Sequence, residues 1–139
     1  MRLAACCDVG LDIIEPCGFV WSDRRLQRAG MDYIELANVT RHTSWAAFRK
    51  VIKGRLVLLT TQSSLPFAGE TYQDEDILLL GRESAGVPPD VHEAADVRVR
   101  IPIVETARSL NVAIAGAMVL GEALRQLSGF PGQGQRHYE

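Results

Sequence analysis

The sequence has few cysteines and histidines, and none of them stands at the spacing of a metal site. The three cysteines, Cys6, Cys7 and Cys17, form no C-x-x-C pair and have no histidine at ligand spacing. Zinc sites use such spacings, and a disulfide framework needs an even number of cysteines, usually four or more. We therefore expect no metal, and we predict that the three thiols are reduced and mostly buried.

Long hydrophobic runs are also absent. The longest apolar stretches, such as Arg55–Thr61 and Asp76–Leu80, are far shorter than the roughly 20 residues of a membrane-spanning helix. The segment Met1–Cys7 lacks the apolar stretch of a secretory signal, which predicts a soluble, cytoplasmic protein. A chain of 139 residues that is 47% hydrophobic is typical of one globular domain. We predict a single domain over residues 1–128 and a flexible, glycine-rich tail over residues 129–139.

The chain has little net charge, but its charges are unevenly distributed. The formal net charge of −2 argues mildly against a polyanionic partner. Residues 1–55, however, carry nine Lys/Arg against six Asp/Glu, whereas residues 56–139 carry six against eleven. A basic N-terminal half can supply phosphate contacts, although ordinary solvated helix faces explain the pattern equally well. The basic clusters are Arg24, Arg25 and Arg28, and Arg41, His42, Arg49, Lys50, Lys53 and Arg55.

Short apolar runs alternate with helical patterns along the chain. This order is typical of an α/β fold with a mainly parallel sheet flanked by helices. The runs Leu56–Thr60 and Ile77–Leu80 are continuously apolar, which predicts strands that are buried on both faces. The other predicted strands are Leu11–Ile14, Tyr33–Leu36 and Val97–Ile101.

Capping residues mark the helices between these strands. Ser22 is predicted to begin a helix that Gly30 ends, and Ser44 begins another that ends before Gly54. Pro88 and Pro89 predict a short helix that runs toward Ala95, because proline fits a first turn. The apolar stripe of the second helix comprises Trp45, Phe48, Val51 and Ile52.

The last helix is predicted from about Ser109 to Leu127, with Ser109 as its N-cap. Between Asn111 and Gly121 it is apolar almost all round and rich in Ala and Gly, so neighbours must approach it closely on several sides. Such neighbours can come from a partner subunit or from a large core of the same domain. A domain of this size offers little room for a core that surrounds the helix. The N–H groups at its start also favour hydrogen-bond acceptors of a ligand.

Polar or glycine-containing loops follow three of the predicted strands, at residues 60–62, 81–86 and 102–111. Ligands of open α/β sheets bind outside the carboxyl ends of the strands, and parallel geometry would bring these loops to one edge. In the second loop Gly81 and Gly86 permit close backbone approach to a ligand and Glu83 adds a carboxylate. A purely structural turn fits the same spacing.

Two common catalytic motifs do not fit these loops. A serine-hydrolase elbow, G-x-S-x-G, would need glycine at Arg82, two residues before Ser84, and no histidine shows a recognisable pairing. The segment Gly129–Gln135 is not a phosphate-binding loop, because it follows a helix and no Lys-Ser/Thr comes after it.

Several motifs, in order, resemble those of a known family. Gly81–Pro88, Ile101–Pro102 and Arg108–Ala113 are similar to the second and third motifs of the SPOUT methyltransferases. More narrowly, Ile14–Phe19 and Arg24–Tyr33 resemble the members that methylate the wobble nucleotide of tRNA. The resemblance extends from residue 2 to about residue 127, and the co-occurrence of several multi-residue motifs makes it highly specific.

The resemblance implies an α/β domain with a deep C-terminal trefoil knot, S-adenosylmethionine as the cofactor, and a homodimer formed through the knot region. It also implies 2′-O-methylation of cytidine or uridine 34 in the tRNA anticodon stem-loop, without a metal. The cofactor-binding residues implied are Leu59, Thr60, Gly81, Glu83, Ile101, Pro102, Ser109 and Leu110. The catalytic residues implied are Arg2, which takes part in deprotonating the 2′-hydroxyl, Glu83, Ser109 and Asn111. We further expect Arg24, Arg25, Arg28 and Arg41 to contact RNA.

The sequence departs from this family at its beginning. Relatives carry a first β-strand and an Asn-containing loop before the position of Arg2, whereas this chain begins at Met1, inside the following helix. We therefore expect the first strand to be missing, through a true deletion or a misassigned start codon. A truncated, non-catalytic module that binds S-adenosylmethionine or RNA is the alternative to an active enzyme.

Overall fold

The structure, a computed structural model, describes residues 1–16, 38–82 and 86–133. The chain divides into two compact units, Met1–Ile52 with Phe130–Gly132, and Lys53–Gly129 with Gln133. Each unit contains a parallel sheet of its own. The helix predicted from Ser22 to Gly30 and the strand predicted at Tyr33–Leu36 lie outside the described residues.

The first unit pairs two parallel strands. Its described elements are α1 (Arg2–Cys6), β1 (Leu11–Ile14), β2 (Val39–His42) and α2 (Trp45–Val51). His42 is buried at the end of β2, where its Nε2 atom lies 2.7 Å from Asp12 Oδ1 and its ring meets Phe48 edge-on. Hydrogen bonding and aromatic packing together therefore allow a polar ring to lie in this core.

Helix α2 begins where the capping pattern predicts. Ser44 is its N-cap, and the Ser44 Oγ atom accepts a hydrogen bond from Ala47 N at 3.0 Å. Phe48 is fully buried, but Val51 is 61% exposed, so the predicted stripe is wrong at that position. Val51 lies about 60° around the helix from Phe48, at the margin of the stripe, where a short helix turns it toward solvent.

Two further expectations for the first unit are corrected. Strand β2 was not predicted, because Thr40 and Arg41 are polar and exposed and interrupt any apolar run. Cys6 is exposed and Cys7 half-buried, both as free thiols, although burial was expected. The reason is that α1 spans only five residues and buries only Ala4. Cys17 lies outside the described residues.

The second unit confirms the predicted α/β class with a parallel sheet. Leu56, Val57 and Leu58 are fully buried, as expected for a central strand. The strands lie in the order β4 (Ile77–Leu79), β3 (Leu56–Leu59) and β5 (Val97–Val99), all parallel. A 3-10 turn (Phe67–Gly69) and the helices α3 (Pro89–Ala94) and α4 (Val112–Leu127) complete the described elements.

Helix α4 starts later than predicted and ends where predicted, at Leu127. Its N-cap is Asn111 rather than Ser109: Asn111 Oδ1 accepts hydrogen bonds from Ala113 N at 2.9 Å and Ile114 N at 3.3 Å. Serine and asparagine are both good N-caps, and the first helical turn begins after Asn111, the later of the two residues. None of the helices in the described part of the chain has the length and apolarity needed to cross a membrane.

A buried tyrosine joins α4 to the loop before β4. Tyr72 packs in the core with Val57, Val99 and Val119, and burial raises the pKa of its hydroxyl to about 12. The hydroxyl donates to Phe67 O at 2.7 Å, and Tyr72 N donates to Gln126 Oε1 at 3.0 Å. The bond to Gln126 fixes the loop to α4, and the bond to Phe67 fixes it to the 3-10 turn. Each pairs a polar group that would otherwise be unsatisfied.

Arg55, directly before β3, binds the start of β4. Its guanidinium donates to both carboxylate oxygens of Asp76, at 2.9 and 2.8 Å, to Glu70 Oε1 at 3.2 Å and to Thr71 O at 3.0 Å. The Asp76 side chain is only 4% exposed. Burial favours its neutral form, but the hydrogen bonds from Arg55 and from Gln73 N outweigh burial and lower the pKa of Asp76.

We predict that Asp76→Asn lowers the free energy of unfolding at pH 7 by about 2–3 kcal/mol, because it breaks a buried bidentate pair. The folded-state pKa of Asp76 is lowered, so its contribution is complete above the unfolded-state pKa and is lost as the pH falls through the folded-state pKa. Urea denaturation of both proteins should therefore show a difference that shrinks in acid. Asp74→Asn, the same change at an exposed position two residues away, should be nearly neutral. Equal destabilisation by the two changes would contradict the prediction.

Candidate functional site

A cavity of about 530 Å³ opens in the second unit at the carboxyl ends of its strands. Its volume lies in the range of roughly 300–1,000 Å³ that is typical of small-molecule sites. All three loops that follow the strands contribute to its lining, together with residues of α3 and α4. The lining comprises Leu59–Gln62, Leu80–Arg82, Gly86, Val87, Pro89, His92, Glu93, Ile101, Ile103, Ser109, Leu110, Val112 and Ala115.

The first loop is held along the strand beside it. Thr60 N donates to Val99 O at 2.9 Å, and Ser63 Oγ donates to Arg98 O at 2.6 Å. Further along, Arg100 N donates to Leu65 O at 2.8 Å. Because these bonds continue the pairing between β3 and β5, Thr60 keeps a fixed position in the cavity wall.

The second loop is closed by its two glycines. Arg82 N donates to Gly86 O and Gly86 N donates to Arg82 O, both at 3.0 Å. Gly86 has a φ of +65°, a conformation that favours glycine, and a Cβ atom at Gly81 would lie 2.6 Å from the carbonyl carbon of Gly86. Both positions therefore require glycine. Glu83, also assigned to this loop from the sequence, lies outside the described residues.

The third segment places only some of its predicted residues in the cavity. Ile101, Ser109 and Leu110 line it, whereas Pro102 is exposed and does not. Ile103, on the other side of Pro102 from Ile101, lines it instead. Asn111 caps α4 and is also absent from the lining.

Helix α3 contributes cavity residues that the sequence patterns did not reveal, His92 and Glu93. Arg98 of β5 holds the end of this helix, since its Nε and Nη2 atoms donate to His92 O at 2.9 and 2.6 Å. The His92 Nε2 atom is buried without a hydrogen-bond partner among the described residues. Only the tertiary packing of α3 against β5 reveals these positions, since neither residue belongs to a recognisable motif.

The remaining predicted residues lie in the first unit or outside the described chain. Arg2 is exposed on α1, and Arg41 is exposed on β2 in an ion pair with Glu15. The described residues contain no group of three or more His, Cys, Asp and Glu that could hold a metal ion. Arg24, Arg25 and Arg28 lie outside the described residues.

The fold and the cavity are those of an α/β domain with a candidate small-molecule site at the carboxyl ends of parallel strands. The sequence profile of the SpoU rRNA methylase family matches residues 1–121, which include residues of both units. The chain belongs to this family.

Individual relatives agree with this assignment. The chain is 56% identical over 130 residues to the tRNA (cytidine(34)-2'-O)-methyltransferase of Beijerinckia indica, covering 91% of this chain and 81% of that protein. Among solved structures, one described as "Structural insights into the 2-OH methylation of C/U34 on tRNA" superposes with a TM-score of 0.85 and 34% identity over 92% of this chain and 85% of that one. An AdoMet-bound rRNA methyltransferase of Sinorhizobium meliloti superposes with a TM-score of 0.75 and 26% identity, covering 91% of this chain and 49% of that one.

Substitutions at Asn111 and Ser109 test which of the two residues caps the N-terminus of α4. Asn111→Ala should lower the free energy of unfolding by about 1 kcal/mol, because the first N–H groups of the helix lose their acceptor. Asn111→Asp keeps that oxygen and should be nearly neutral. Ser109→Ala is the matched control and should change stability by less than about 0.5 kcal/mol. Urea denaturation measures all three, and a larger loss from Ser109→Ala than from Asn111→Ala would refute the assignment of the cap.

Proposed function

We propose that this chain transfers a methyl group from S-adenosylmethionine to the ribose 2′-hydroxyl of nucleotide 34, cytidine or uridine, of tRNA. The observation that carries the proposal is that the two loops bearing the family motifs, residues 81–86 and 102–111, line one cavity of suitable size together with the loop at residues 60–62. Membership of the SpoU family and the close relatives described above support the same reaction.

The cavity fits the chemistry of S-adenosylmethionine, which has a flat apolar base, a hydroxylated ribose and a charged amino-acid end. Leu59, Ile101 and Leu110 supply apolar walls, while Thr60 and Ser109 add hydroxyl groups. Arg82 and Glu93 bring a charge of each sign to the lining. Gly81 allows the backbone to approach the ligand closely. We propose these residues as the cofactor site, with Glu83 and with Pro102, which is not itself in the lining but lies between the lining residues Ile101 and Ile103.

The cofactor, when bound, supplies a methyl group activated by its sulfonium. The residues of the chain must then hold the 2′-hydroxyl in line with that group, and orientation of this kind accounts for much of an enzyme's effect on rate. They must also help to remove a proton from a weakly acidic hydroxyl. We assign a part in the deprotonation to Arg2, and the orientation of the reactants to Glu83, Ser109 and Asn111.

We further propose a homodimer formed through a knotted C-terminal region that includes α4. Two apolar residues of α4 one turn apart, Ile114 and Met118, are 56% and 42% exposed, which supports a partner on this face. The tRNA anticodon stem-loop would contact the basic N-terminal residues, Arg24, Arg25, Arg28 and Arg41. The single domain over residues 1–128 and the cytoplasmic location stay predictions, and most of the predicted tail, residues 129–139, lies outside the described residues.

Transfer of a labelled methyl group tests the proposed reaction. Purified protein, labelled S-adenosylmethionine and tRNA transcripts should yield label in the 2′-O-methylated nucleoside at position 34, identified after nuclease digestion. A tRNA with a 2′-deoxynucleotide at position 34 should accept none, because the attacking hydroxyl is gone. A version of the protein extended upstream of Met1 serves as the second arm. The proposal fails if neither protein transfers label, or if label appears at another nucleotide.

Gly81→Ala should weaken binding of S-adenosylhomocysteine by at least about tenfold, because the added Cβ meets backbone that side-chain motion cannot relieve. Isothermal titration calorimetry measures this loss. In the control, Gly69→Ala, the new Cβ makes only an ordinary 3.7 Å contact with Leu65 Cδ1, and affinity should be unchanged. Unchanged affinity in Gly81→Ala would remove Gly81 from the proposed site.

A further inference from the structure

We propose that Gly116 of α4 is a positioning residue for the cofactor, acting through Leu80. The missing side chain at Gly116 lets Leu80 lie against α4, and this keeps the cavity open. The inference rests on the proposed function, because it takes S-adenosylmethionine as the ligand of the cavity.

The contact between these two residues is close and specific. Gly116 is buried, and a Cβ atom built on it would lie 2.8 Å from Leu80 Cδ1, 3.6 Å from Cδ2 and 3.8 Å from Cγ. These three nearest atoms all belong to the Leu80 side chain. A methyl group at position 116 is therefore accommodated by moving the leucine side chain rather than the backbone.

The surroundings of Leu80 decide where its side chain can go. Leu80 and Ala115, the neighbour of Gly116, both line the cavity. The leucine is 39% exposed and borders the cavity, so its side chain has open space beside it. Its backbone cannot follow, because β4 ends one residue before it and Gly81, one residue after it, packs against Gly86. A displaced Leu80 side chain therefore takes up cavity volume that the cofactor needs.

The test is Gly116→Ala, with affinity for S-adenosylhomocysteine measured by calorimetry. We expect Kd to rise about tenfold, because the cofactor and the displaced Leu80 side chain would then compete for the same space, and overpacking of this kind costs enough free energy to change Kd by about that factor. The KM for S-adenosylmethionine should rise while kcat changes little, a split that a merely structural role would not produce. Thermal unfolding, measured alongside, should show no loss of Tm, because alanine favours helix.

Two further variants make the test specific. Gly121→Ala is the matched control in the same helix, because a Cβ there meets nothing within 4 Å, and cofactor affinity should stay unchanged. Leu80→Val removes the Cδ atoms that overlap, so the double variant Gly116→Ala, Leu80→Val should bind nearly as well as Leu80→Val alone. The coupling between the two substitutions in binding affinity shows whether Gly116 acts on the cofactor through Leu80.

Each outcome bears on the inference. Wild-type affinity in Gly116→Ala, an equal loss in Gly121→Ala, or a double variant that fails to fold or to regain binding would each overturn it. If Gly116→Ala alone fails to fold, the folded double variant still decides the question by its affinity. If the wild-type protein binds no S-adenosylhomocysteine, the proposed function is refuted, and the inference falls with it. This result differs from the outcomes above, in which the wild-type protein binds and only the variants decide.

Discussion

The burial of one strand determines the arrangement of the second unit. Leu56, Val57 and Leu58 of β3 are fully buried, so β3 must have neighbours on both edges and cover on both faces. The pairing is parallel with both β4 and β5, and three chain segments therefore leave the sheet at the same end. A ligand cavity forms there because the segments must diverge to reach their helices.

Polar contacts then hold the segments that the sheet has brought together. Arg55 binds the entrance of β4 through Asp76, Arg98 binds the end of α3, and Gln126 joins α4 to the loop that carries Tyr72. Each contact pairs a charged or amide side chain with backbone or a carboxylate at the margin of the core. Apolar burial therefore sets the order of the elements, and these polar contacts set how their ends are placed around the cavity.

The sequence predicts those parts of this structure that depend on local chemistry. Continuous apolar runs identified β3 and β4, and Ser44 and Pro89 marked the starts of α2 and α3. Strand β2 was missed because pairing with β1, and not its own apolarity, makes Val39–His42 a strand. Ser109 and Asn111 are both competent caps, and only packing chooses between them. His92 and Glu93 reach the cavity by tertiary contact, for which the sequence carries no pattern.

Helix α4 both lines the cavity and carries an exposed apolar surface. Its first turns line the cavity through Val112 and Ala115, while Ile114 and Met118 present an apolar surface to the outside. A rigid helix transmits a displacement on one side to the other, so a ligand in the cavity and a protein packed on the outer surface act on the same element. In the proposed dimer, thermodynamic linkage requires that the factor by which the ligand changes the affinity for the second subunit equals the factor by which that subunit changes the affinity for the ligand.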